Sequence, residues 1–77
     1  MPTVLRESGF RFMIYTEDHN PMHVHAWHQG RQVIIYFEDD VAVRENYGLS
    51  HSELRRALSI VRRQQSFLQN CWREIHG

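Results

Sequence analysis

Lysine is absent from this 77-residue chain, and all nine basic residues are arginine. Arginine grips carboxylate or phosphate through two parallel N–H groups, whereas lysine acts as a point charge. Cysteine occurs once, at Cys71, so no internal disulfide can form and a reducing cytoplasm is the expected setting. The thiol reads as a small buried core residue. No apolar run approaches the ~20 residues of a membrane span, and the N-terminus has no signal-peptide core. Repeats, linkers and low-complexity stretches are missing. So are a P-loop, a dinucleotide-binding glycine motif and a nucleophile elbow; no cofactor is expected.

What is present is one small domain. A hydrophobic fraction of 42% with 12% aromatic residues excludes disorder. A chain this short buries only a little more than ~60% of its unfolded surface, so a partner or a second copy would add a needed share of stability. Net charge is zero, yet residues 1–49 hold four Arg against seven acids and residues 50–77 hold five Arg against two. Arg55, Arg62 and Arg73, with Arg56 and Arg63 adjoining, fall away from the apolar stripe of the C-terminal segment. They read as a solvated face, or as a contact for a phosphate backbone.

The first half alternates as strands do and the last third repeats as a helix does. Thr3–Arg6, Phe10–Tyr15, Met22–His28, Arg31–Glu38 and Val41–Arg44 are the extended segments. A two-residue loop at Gln29-Gly30 pairs His28 with Arg31, Ala26 with Val33, Val24 with Ile35 and Met22 with Phe37. One face then carries Met22, Val24, Ala26, Val33, Ile35 and Phe37, all apolar, and is the core side. The other carries His23, His25, Trp27, Gln32, Ile34 and Tyr36. With Phe10, Phe12 and Ile14 inward, Arg11, Met13 and Tyr15 join that outer set. Ser50 and Glu53 fit a capping box that opens a helix over residues 51–75. Its apolar positions cover about half the circumference, and about 25 residues at ~1.5 Å rise make it roughly 38 Å long. That exceeds the roughly 30 Å diameter of a compact chain of this size. Either the helix breaks near Gln64-Gln65-Ser66 or a second chain covers the overhang, and the second is the expectation.

Four of the six histidines lie within ten residues, at His19, His23, His25 and His28. His23 and His25 share one strand face, a workable spacing for two imidazole metal ligands. His28 has the opposite parity and joins them only if the strand ends or bulges at Trp27; no acidic residue falls on the same face. Without a metal, His23 and His25 could act as base and acid in phosphodiester cleavage, with Arg11 beside the phosphorus. As a recognition surface, Arg11, Tyr15, His23, His25, Trp27 and Tyr36 have the composition of a protein interface or of a platform for single-stranded RNA.

Met1-Pro2-Thr3-Val4-Leu5-Arg6, Gly9-Phe10-Arg11-Phe12, Pro21-Met22-His23-Val24-His25 and Gly48-Leu49-Ser50 with Glu53-Leu54-Arg55 resemble a family of small bacterial proteins of unknown function. Members typically read Pro-Pro-His-Val-His, and carry a more polar strand where this chain has Val33-Ile34-Ile35. The resemblance implies one half of a toxin–antitoxin-like gene pair, with a small partner protein encoded alongside. The expectation is therefore a single α+β domain over 1–77, with a mainly antiparallel sheet of three to five strands (3–45) under one long helix (51–75). It would be a cytoplasmic protein-binding component, homo-oligomeric through the helix. A metal-independent ribonuclease and a small histidine-rich metal binder are the alternatives.

Overall fold

The computed structural model describes residues 3–77; the Met1-Pro2 opening of the family motif lies outside them. Five strands form an antiparallel meander in sequence order: β1 (Thr3–Glu7), β2 (Phe10–Met13), β3 (His23–His28), β4 (Arg31–Tyr36) and β5 (Ala42–Tyr47). Two tight loops set the register of the hairpins. Ser8-Gly9 and Gln29-Gly30 each hold positive φ at both positions, the mirror-image turn whose twist matches that of the flanking strands. The second delivers the expected pairing of His28 with Arg31, Ala26 with Val33 and Val24 with Ile35. The Phe37 amide donates to the Met22 carbonyl at 3.1 Å and extends the same register.

The sheet's core side is apolar and closed. Phe12, Ile14, Val24, Ala26, Val33, Ile35 and Phe37 are fully buried, and Phe10 nearly so. They pack against Ala57, Ile60, Val61, Leu68 and Trp72 from the C-terminal segment. That segment opens as expected. The Glu53 amide donates to Ser50 Oγ at 3.2 Å, and the Ser50 amide to Glu53 Oε1 at 2.9 Å, so two otherwise unpaired donors are satisfied at the helix start.

The helix is not continuous, and the expectation of one long helix is corrected here. It divides into α1 (His51–Arg63) and α2 (Gln65–His76), with Gln64 out of helical geometry at φ −102°, ψ 16°. Side-chain amides hold the second half to the loop after β4. Gln65 Nε2 donates to the Phe37 and Asp39 carbonyls at 2.8 and 2.6 Å, and Gln69 Nε2 to the Glu38 carbonyl at 3.0 Å. The chain bends to follow the sheet, and each half buries its own stripe. Two stripes on one helical wheel read as a single wide one. The molecule spans 34 × 25 × 20 Å, so the length argument for a covering second chain falls. No helix among the described residues is long and apolar enough to cross a membrane.

Candidate functional site

The outer side of the sheet follows the expected alternation, since Arg11 pairs with Trp27, Met13 with His25 and His23 with Tyr36. It is not an open platform, however. Met13 and Ile34 are buried here, and His23 is only 4% exposed. Tyr15 closes over this side: its hydroxyl meets Met13 Sδ at 3.7 Å and its ring meets His25 edge-on at 4.7 Å. Trp72 of α2 backs the His23 ring at 5.5 Å. The six expected binding residues therefore divide. Tyr15, His23, His25 and Tyr36 gather at one end, while Arg11 and Trp27 line a separate hollow with Arg6 at the other.

The acidic residue expected to be lacking comes from the loop between β2 and β3. The Asp18 amide donates to the Tyr15 carbonyl at 3.1 Å, and the Tyr15 amide donates back to Asp18 Oδ2 at 2.9 Å. This reciprocal turn points Asp18 Oδ1 at both histidines, 3.4 Å from His23 Nε2 and 3.5 Å from His25 Nε2. All three ligand atoms lie within 4.8 Å of one another. Asp18 and His25 side chains are 13% and 15% exposed.

The far nitrogens fix the tautomers. His23 Nδ1 lies 2.9 Å from the Pro21 carbonyl and His25 Nδ1 lies 3.4 Å from Gln32 Oε1. Both partners are oxygens that accept, so each Nδ1 carries a proton and each ring turns its Nε2 toward Asp18. His25 Nε2 is buried without a hydrogen-bond partner. Two imidazole nitrogens and a carboxylate oxygen thus converge on one point. With both rings neutral these are three acceptors with no donor between them, an arrangement that is costly in a largely buried place unless something positive joins them.

His28 is not part of this cluster. Its parity holds and turns it to the helix side, where it stacks on Phe10 at 4.7 Å. Its Nδ1 lies 3.1 Å from the Gly9 carbonyl, and its Nε2 lies 3.4 Å from Glu53 Oε2. Arg31 grips the same carboxylate with two bonds of 2.8 and 3.1 Å. The Arg31 guanidinium and the Ser50 amide hold the Glu53 carboxyl well below its ordinary value, at about 2. This network fastens the β3–β4 hairpin to the start of α1 and is structural.

Beside the cluster opens a recess of about 310 Å³, lined by Glu17, Asp18, His19, His23, Tyr36 and Arg44 among others. His19 is exposed in the loop. Arg44 arrives through an irregularity in β5: Glu45 opposes Ile34 and Val43 opposes Ile35, which leaves Arg44 as an extra residue without a partner. Asp18 and Arg44 were both missed by strand parity, since one lies in a loop and the other in a bulge. The sequence signal for Asp18 was its place five residues before His23, in the turn that delivers β3.

The arrangement defines a small α+β domain with a two-histidine, one-carboxylate cluster on the outer side of its sheet. The chain belongs to the family described as domain of unknown function DUF4160, which matches residues 9–73. No curated protein and no solved structure matches it.

Proposed function

We propose that this chain is a metal-binding protein whose Asp18, His23 and His25 hold one divalent transition-metal ion, against the expectation of no cofactor. The observation that supports this reading is the convergence of two Nε2 atoms and one Oδ1. Ligands about 2.0–2.1 Å from an ion at the tetrahedral angle stand roughly 3.3–3.4 Å apart. The 3.4 and 3.5 Å separations match that edge and exceed a good charge-assisted hydrogen bond, at about 2.7–2.9 Å. The Pro21 and Gln32 contacts are the outer-shell bonds that orient metal-ligating imidazoles. Imidazole with carboxylate suits zinc, iron, nickel or copper rather than calcium. Three protein ligands leave coordination positions free, as in reactive rather than purely structural sites.

The metal-independent ribonuclease is less well supported by this geometry. A base and an acid for in-line cleavage must flank the phosphorus, whereas both Nε2 atoms point at one carboxylate oxygen. The test is elemental analysis of untagged protein, followed by cobalt titration. One equivalent is expected, with loss of binding in His25→Ala and Asp18→Ala. Absence of bound metal in folded wild-type protein refutes the reading.

A protein-binding role in a toxin–antitoxin-like pair, with a partner from an adjacent gene, is the second reading. The observation in its favour is β5, exposed along its whole length and bearing Val43 and Tyr47 at 37% and 49% exposure. Its free edge could add a partner's strand. Pull-down with the neighbouring gene product, against a Val43→Pro chain, tests it; equal capture by both refutes the strand contact.

A further inference from the structure

We propose that the recess beside the Asp18–His23–His25 cluster is an oxyanion site for a phosphate monoester or free phosphate, bound between the metal and the Arg44 guanidinium. The inference rests on the metal reading above. Three observations carry it. The first is the bulge. An extra residue in a strand re-aims a side chain, and such bulges concentrate beside functional sites. Here the residue set free is Arg44, and it lines the same recess as His23 and Asp18.

The second is charge. Among the described residues no carboxylate lies within salt-bridge distance of Arg44, as for every arginine but Arg31 and Arg63, so its guanidinium is free to meet an anion. The recess walls carry Glu17 and Asp18 against Arg44, a net charge of −1 with the histidines neutral. A divalent ion turns that to +1, so the site attracts an anion only when metal is bound. The third is shape. At about 310 Å³ the recess is at the small end of ligand pockets, roughly 300–1,000 Å³. A phosphoryl group offers three terminal oxygens, enough to meet a metal with one and a guanidinium fork with two. A carboxylate has two oxygens and a nucleic-acid diester two non-bridging ones, so either makes one contact fewer than a phosphate monoester. Tyr36 lines the same recess.

The experiment uses untagged, full-length protein loaded with cobalt, whose visible absorption reports a change of ligand. Inorganic phosphate should shift the band saturably, phenyl phosphate should do so if an ester is the natural form, and acetate at the same concentration should not. Arg44→Gln, a change at an exposed position, should weaken phosphate binding about tenfold or more, as loss of a charge-assisted bond does. Its cobalt stoichiometry should stay unchanged. A band that phosphate leaves unmoved overturns the inference, as does an equal response in Arg44→Gln or from acetate. If cobalt itself fails to bind, the metal reading falls and the oxyanion site with it; if cobalt binds and phosphate does not, only the oxyanion site falls.

Discussion

Replacing Asp18 with asparagine separates a metal centre from a simple ion pair by the sign of a stability change. Asp18 Oδ2 accepts the Tyr15 amide at 2.9 Å, and Oδ1 faces the two Nε2 atoms at 3.4 and 3.5 Å. In the Asp18→Asn variant the side-chain carbonyl oxygen takes over the Tyr15 contact and the NH₂ group turns toward the histidines. Two N–H donors then meet two lone pairs, one of which, on His25 Nε2, has no partner in the wild type. A closure of a few tenths of an ångström brings both into ordinary hydrogen-bond range, near 2.9–3.0 Å. A buried polar atom without a partner costs about 1–3 kcal/mol, and a net hydrogen bond returns about 1. The metal-free variant should therefore be more stable than metal-free wild type by about 1 kcal/mol, which raises the melting temperature by about 4–8 °C in a domain of this size. It should bind no metal. If Asp18 instead neutralises protonated His23 or His25, the same substitution removes the ion pair and lowers stability rather than raising it. Urea unfolding with a chelator present, followed by tryptophan fluorescence, reads the sign directly. Destabilisation, or retention of metal at wild-type stoichiometry, refutes the reasoning.

Three further outcomes are expected. The Glu53 carboxyl titrates near 2 rather than its ordinary 4.5, so its contribution to stability is complete above about pH 4.5 and lost as the pH falls towards 2. Glu53→Gln should accordingly lower stability at neutral pH, with the gap to wild type narrowing over that interval in acid-unfolding curves; a constant gap refutes the assignment. Leu68→Ala should cost about 2–5 kcal/mol in denaturant unfolding, because Leu68 is fully buried and anchors α2; a loss below about 1 kcal/mol would mean α2 is not docked as described. Gly9→Ala should cost about 1–2 kcal/mol, because φ is +79° and a methyl group there would sit 3.3 Å from the His28 ring, and a silent substitution would contradict the turn.

What the sequence made legible was whatever repeats locally. The alternation of Val24, Ala26, Val33 and Ile35 and the loop at Gln29-Gly30 determined the central register. The Ser50–Glu53 capping box located the start of α1 to the residue. The break at Gln64 was visible as one of two alternatives, but its cause was not. Gln65 and Gln69 reach carbonyls of the β4–β5 loop about thirty residues away, and no periodicity encodes that. The site divided in the same way. His23 and His25 stood out by spacing on one strand face. Asp18 did not, because a loop obeys no parity, and its aim depends on a turn closed by its own side chain on the Tyr15 amide.

Natural chains tend to agree with local rules throughout except where function requires otherwise. Most apparent exceptions in this protein have a structural reason. His28 is half-buried but bonded to Gly9 and close to Glu53, and Arg31 is satisfied by the same carboxylate. Ser8 and Gln29 adopt positive φ to form the turns that hold the hairpins. Asp18, His23 and His25 are different, because they bring three metal-ligating atoms together and, with neutral imidazoles, leave no donor between them. The surrounding structure makes that arrangement more rigid rather than relieving it, with Pro21, Gln32 and the Tyr15 amide each fixing one member. A chain with so little core to spare would gain by replacing any of the three with an apolar residue, since a half-satisfied polar cluster is worse than none. A cation removes the conflict without moving a single side chain, which is why the metal reading explains both the convergence and its cost.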